Sequence, residues 1–559
     1  MSKRVASLDL IADQYVDRAA ALDPPLATFI GVAGHDDEMP DLSADGFAAR
    51  AELDRSTLAA LEAAEAPGPR EQAARAAMQE RLGLAMERYD AGDTTSQLNV
   101  MASSVQDVRE VFDLMPTDGE QAAVNVSKRM AAVPAAYSQL SETLLSAARR
   151  GRPPARLQVE EVAKQCADWA KPGDSFYAGL VEQLTGVPDS LRGDLEHAAE
   201  QASAATAELG AFLTRELLPL ARQKDACGRE VYSRALRYFL GASVDLEEAY
   251  ARGWEEIARV RAEQKRLASQ IQPGATREEA VAILDKDPER RIGGSANFRA
   301  WMQDLADRAI SDLDGEHFDI PEQARRIEAM IAPTSDGGIY YTPPTEDWSR
   351  PGRVWWAVPD GQESFATWKE VTTIYHEGVP GHHLQACQAL AERENLNRWQ
   401  RLLCWVDGHG EGWAVYAERL MGELGYLADP GACLGMLDRQ LMPAAMTVLD
   451  IGLHLELQIP ADASWRPGAG ERWNAELAWE FLQAHSNFEE EQLRFELHRY
   501  LGWPGQAPSY MLGAQIWLQA RADARDRAKE AFSLKDFHSR ALGLGPMGLD
   551  PLRQALAQL

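Results

Sequence analysis

The stretch that most constrains how this chain can fold is Tyr375-His376-Glu377-Gly378-Val379-Pro380-Gly381-His382-His383-Leu384-Gln385. From Glu363 to Glu377 the spacing is helical, with Phe365, Trp368, Thr372 and Tyr375 on one side. Pro380 and Gly381 then forbid an unbroken continuation. Proline removes an intrahelical hydrogen bond and its ring clashes with the preceding turn, while glycine accepts unusual dihedrals. A helix must therefore end or bulge in the middle of a segment that holds three imidazoles and one carboxylate within eight residues, in a chain of 559 residues with 11 histidines.

Around this stretch the dominant signal is helical. From residue 5 to about 335, Ala, Leu, Glu, Arg and Gln predominate and apolar residues recur at threes and fours, as in Leu8, Ile11, Tyr15 and Ala19. Breaks fall at Ala66-Pro67-Gly68-Pro69, Gly151-Arg152-Pro153-Pro154, Lys171-Pro172-Gly173-Asp174 and Gln272-Pro273-Gly274. Thr276 with Glu279 has the form of a capping box that opens a further helix. Near residue 335 the texture changes: Gly337–Pro344 and Gly352–Pro359 are short β-branched and aromatic runs bounded by Gly and Pro, and they read as two edge-type strands. Beyond the histidine cluster, Gly408 to Leu420 forms an amphipathic helix with Trp413, Ala417, Leu420, Met421 and Leu424 as its core stripe. No fixed-period repeat supports a solenoid. The expected division is a helical region over 1–334 and a metal-site region over 335–559, the two capable of forming one continuous domain.

Composition excludes several function classes. No segment approaches the ~20 consecutive apolar residues of a membrane span. Met1 to Leu10 lacks an apolar core, because Asp9, Asp13 and Asp17 interrupt it, so no secretion signal is expected. Lys and Arg total 57 against 86 Asp and Glu, a net charge of −29 that argues against phosphate-backbone partners. Cys166, Cys227, Cys387, Cys404 and Cys433 are odd in number and scattered, as expected of reduced thiols in a cytoplasmic protein.

The cluster has the chemistry of a metal centre. An HExxH helix offers two histidines one turn apart for zinc and a glutamate that works on water. Here position i+4 from His376 is Pro380, and the next histidines stand at i+6 and i+7. In an ideal helix His376 and His383 would lie ~10 Å apart along the axis, too far for one ion. A bulge that folds Val379 and Pro380 outward restores the register with His382 as second ligand and leaves His383 as a neighbour that donates to substrate. Glu411, which opens the later helix, is the expected third ligand. Glu377 is the general base toward water that the ion acidifies. Glu418 lies seven residues beyond Glu411, too far to share its ligand role, and is expected to orient a ligand histidine. His409 and His485 read as structural.

The chain resembles a bacterial family catalogued as domain of unknown function 885. The likeness rests on His376-Glu377-Gly378-x-Pro380-Gly381-His382-His383-x-Gln385, on Glu411-Gly412-Trp413-Ala414-x-Tyr416-Ala417-Glu418-Arg419-Leu420, and on Arg499-Tyr500-x-x-Trp503-Pro504-Gly505-Gln506-Ala507-x-Ser509-Tyr510. The N-terminal Pro25-Leu26-Ala27-Thr28-Phe29-Ile30-Gly31-Val32 extends it over most of the chain. That family in turn looks like a distant relative of the carboxypeptidase Taq group of zinc peptidases, whose third ligand is a glutamate followed seven residues later by another. The resemblance implies a mainly α, metallopeptidase-like fold with a deep groove and a small β-sheet beside the active-site helix. It also implies that Tyr510, with Tyr500 as its rival, supplies a phenol to a developing oxyanion. Arg494 or Arg499 would hold a substrate carboxylate bidentately.

Together these readings predict a zinc or other divalent-metal peptidase acting on short peptides or acyl-amino acids, with self-association into a homodimer left open. A metal-dependent amidase or esterase on a non-peptide substrate is the second expectation. A non-catalytic helical protein that binds peptides is the third.

Overall fold

The computed structural model describes residues 7–332, 339–359, 361–463, 465, 467–486 and 490–558. The fold is mainly helical with two small sheets. Every Pro-Gly break read above falls between helices: Ala44–Ala63 gives way to Pro69–Ala91, Glu120–Arg149 to Arg156–Trp169, and Leu246–Ile271 to Arg277–Lys286. The Thr276–Glu279 capping box forms with both reciprocal hydrogen bonds.

Two apolar cores result. One lies among the helices between Leu42 and Ala221. The larger gathers Leu8, Trp254, Met302, Val354, Trp413 and Leu556, so it crosses the boundary near residue 335. At its centre the Pro430–His454 helix packs on the Leu246–Ile271 helix and on Thr367–Glu377.

The sheets differ from the expectation. Strands β1 (Arg291–Gly293), β2 (Ile327–Ile331), β3 (Ile339–Thr342), β4 (Gly352–Trp356) and β5 (Ser364–Ala366) form two sheets, β1–β5 and β2–β4–β3. Only β3, of the two runs read as edge strands, is an edge. β4 is central, parallel to β2 and antiparallel to β3. Strands β1 and β2 lie within the stretch read as helical, and β5 takes the start of the expected helix, which begins at Thr367. Runs of three to five residues with few alternating positions carry little period-2 signal, which is why helix-rich surroundings hid them. Gly337 and Gly338, which open the first predicted strand, lie outside the described residues.

Candidate metal centre

The Thr367–Glu377 helix carries His376 and Glu377 on its last turn, and the His382–Ala391 helix opens with His382 and His383. The expected bulge is a complete break. Between the helices the chain doubles back over the first helix end: Gly378 N–H donates to Ile374 O at 2.8 Å and Gly381 N–H to Tyr375 O at 3.0 Å. A Cβ at residue 378 would stand 2.5 Å from Ile374 O, and one at 381 would collide with the His376 carbonyl, so only glycine allows this path. The Val379–Pro380 peptide is cis. The Pro380 carbonyl accepts the Trp413 indole N–H at 2.8 Å, which ties the turn to the Asp407–Glu423 helix.

This break accomplishes what the register argument required of a bulge. The His376 and His382 rings meet edge to face with centroids 4.9 Å apart. Glu411, one turn into the Asp407–Glu423 helix, places Oε2 3.6 Å from His376 Nε2 and 3.3 Å from His382 Nε2. Two donors ~2.0–2.2 Å from one tetrahedral ion are themselves about 3.3–3.6 Å apart. The donor set, two imidazoles and a carboxylate, therefore fits a single zinc-like ion. Donor atoms of His376, Glu377 and His382 also lie within 4.8 Å of one another, so Glu377 borders the same point.

The surroundings fix the ligands. Glu418 is buried and accepts His376 Nδ1–H at 2.6 Å, which leaves Nε2 facing Glu411. Glu418 is held in turn by Arg439 Nε at 3.1 Å and by the Thr372 hydroxyl at 3.3 Å. Burial and the Arg439 cation oppose a charge on His376, but Glu411, Glu418 and Glu377 outweigh them and raise its pKa to about 9. Burial pushes the Glu411 carboxyl up, and His382 and His376 more than reverse this, holding it well below the usual carboxylate range. Glu411 is thus an ionised donor.

A cavity of about 390 Å³ opens on the His376 side, within the size range of small-ligand sites. Glu418, Arg439, Arg499, Tyr500 and Tyr510 line it. Burial, and next the Glu411 charge, raise the Tyr510 pKa well above its ordinary value, so the phenol keeps its proton. Tyr500 is also raised well above its ordinary value, first by burial and next by the Glu496 charge. Arg499 directs Nε at Glu496 Oε2, 3.6 Å away, and donates Nη2–H to Gln506 at 3.4 Å.

Two expected residues stand elsewhere. His383 is fully buried and spends both ring nitrogens on the fold: Nε2–H donates to Ala324 O at 2.9 Å, and Nδ1 accepts the Tyr341 hydroxyl at 2.9 Å. It anchors β3 to the His382–Ala391 helix rather than donating to substrate. Burial lowers its pKa to about 4, consistent with a neutral ring. Arg494 pairs with Glu490 at 2.7 Å on an exposed helix face and covers the Trp479 ring, away from the cavity walls. His409 Nδ1 accepts from Gln385, and His485, which lines the cavity, donates Nδ1–H to Phe481 O.

The residue that sequence reasoning missed is Arg439. It bonds Glu418 and brings Nη2 to 3.5 Å from Glu377 Oε1, with its side chain 31% exposed toward the cavity. The available signal was a cation within the largely apolar Pro430–His454 helix, where a charge needs a buried partner.

A family described as "Bacterial protein of unknown function (DUF885)" matches residues 24–556. Comparison with curated proteins gives no match. Among solved structures, "the putative lipoprotein from Colwellia psychrerythraea" superposes with a TM-score of 0.82 at 20% identity, covering 99% of each chain. A "putative lipoprotein of unknown function from Shewanella oneidensis" gives 0.76 at 18% identity, covering 98% of this chain and 99% of the other. At such identities these likenesses show the fold.

Proposed function

Because this chain belongs to DUF885, a bacterial family of unknown function, its chemistry must be read from the site, and we propose that it is a zinc-dependent peptidase of carboxypeptidase type. The observation that carries the reading is Glu411 Oε2 standing 3.6 Å from His376 Nε2 and 3.3 Å from His382 Nε2, with Glu377 beside both histidines. The seven-residue step from Glu411 to Glu418 supports kinship with the carboxypeptidase Taq group, and Glu418 accepts the Nδ1–H of the ligand His376.

A bound zinc ion supplies charge that polarises a carbonyl and acidifies water. The remaining work falls to side chains. Glu377 takes a proton from the attacking water and returns it to the departing amine. Arg439, at Glu377 and Glu418 together, holds both carboxylates in place. Tyr510 donates its phenol proton as a hydrogen bond to the developing oxyanion, and Tyr500 is its alternative from the same wall. Arg499, on the cavity wall, offers its guanidinium to the carboxylate of a short peptide or acyl-amino acid. These roles make the substrate's free carboxyl end the part that enters the cavity.

Glu377→Gln tests the reading. Loaded with zinc, the variant should retain its metal by elemental analysis and lose hydrolysis of a short-peptide library. Unchanged turnover removes the mechanism, and a native protein that binds no zinc removes the metal. On location, the five free thiols support a cytoplasmic setting, whereas the solved relatives' description as lipoproteins supports the envelope. We take the cytoplasmic reading, which recovery in a membrane fraction would overturn.

A further inference from the structure

The described cavity lies on the His376 side of the centre, but the His382 side carries a feature of another kind. Trp405 sits between the Arg398–Leu402 and Asp407–Glu423 helices and is 58% exposed. Its neighbours Cys404 and Val406 are buried, and its own N–H donates to Leu403 O at 3.0 Å, so the loop is pinned while the indole is displayed. The ring lies 6.2 Å from the His382 ring, inclined at 48°. Gly410 makes room for it: a Cβ there would stand 2.5 Å from Trp405 Cη2, one residue before Glu411. The indole thus rests against the first turn of the helix that carries one ligand and beside the ring of another. It is absent from the cavity wall, which sets Arg439, Arg499, Tyr500 and Tyr510 among the apolar Val415, Leu441, Met442 and Met446.

An indole held open to solvent in this way offers a rigid apolar face, and such faces favour aromatic and aliphatic partners. A peptide laid across the centre would enter the mixed polar and apolar cavity on the His376 side and meet this face on the other.

We infer that Trp405 is a specificity-determining residue, which receives an aromatic or branched aliphatic side chain of the substrate residue lying on the His382 side of the scissile bond. The inference rests on the peptidase reading above and adds the substrate class.

The test uses the full-length, zinc-loaded Glu377→Gln protein, so that binding is measured without turnover. Short alanine peptides with Phe, Leu or Gly at each position in turn are titrated by calorimetry. At one position Phe and Leu should bind about tenfold more tightly than Gly. Adding Trp405→Ala should bring Phe and Leu to the Gly level, Trp405→Phe should preserve the preference, and zinc content should be the same in all. Peptide binding with no preference at any position, or a preference that survives Trp405→Ala, overturns the inference and leaves the peptidase reading standing. Loss of zinc from Trp405→Ala overturns it too, by making the indole a support of His382. Failure of every peptide to bind overturns both readings.

Discussion

At the scale of single residues, the centre is defined by what each ring nitrogen does. His376 and His383 are both buried histidines of the same motif, yet Glu418 turns one toward Glu411 while Ala324 and Tyr341 occupy the other. The Glu418 carboxylate is therefore the part of the site most sensitive to a minimal change. Glu418→Gln keeps size and loses the charge that holds the His376 tautomer and pairs with Arg439. Partners of this kind typically contribute 10–100-fold to metal affinity, and a loss of about that size is expected in a chelator competition. Equal zinc affinity in the variant would show that Glu418 does not position His376.

At the scale of elements, the third ligand depends on how closely two helices approach. The Asp407–Glu423 helix crosses Ser509–Ala528 with Gly412 against Gly513, and a Cβ at 513 would reach within 2.9 Å of Gly412 Cα as well as striking the Gly408 carbonyl. Alanine inside a helix ordinarily stabilises relative to glycine by about 0.5–1 kcal/mol. Here overpacking against backbone should reverse the sign and cost about 1–3 kcal/mol. Because the displaced turn carries Glu411, Gly513→Ala should lower both the melting temperature and zinc affinity. A variant as stable as the parent, with unchanged zinc binding, would show that the helices can separate without disturbing the centre.

At the scale of the whole molecule, burial sets opposing pH dependences. His454 and His485 are neutral in the fold, with pKa values lowered to about 4 chiefly by burial. Their contribution is present above the unfolded value of about 6.5 and is lost as pH falls through about 4. Asp450 acts in the reverse sense. It is fully buried, accepts the Tyr232 hydroxyl at 2.7 Å and Gly505 N–H at 2.8 Å, and burial pushes its pKa up to about 7. Its contribution is present below the unfolded value of about 3.9 and is lost as pH rises through about 7. Asp450→Asn keeps an oxygen for both donors and removes the ionisation. Between about pH 5 and about pH 8 the parent should lose about 3 kcal/mol relative to this variant in urea denaturation, and parallel pH profiles would refute the shift.

Local sequence determined the helices, their Pro-Gly breaks and the candidates His376, Glu377, His382 and Glu411, because 3.6-residue periodicity and helix-breaking residues act over a few positions. It also supplied a reason for Pro380 to stand where an HExxH helix wants histidine. Tertiary structure decided the rest. Strands of three to five residues such as β1 and β2 acquire their identity from distant partners, Phe365 and Val354 among them. His383 was indistinguishable from His382 by spacing, and its inward turn depends on Ala324, 59 residues away, and on Tyr341. Spacing marked Arg439 at most as a cation in a largely apolar helix and Trp405 not at all, since their places beside Glu377 and His382 arise where separate helices meet. Spacing fixes which side chains share a helix, but the direction of a buried polar group is fixed by the donors and acceptors that desolvation obliges it to find.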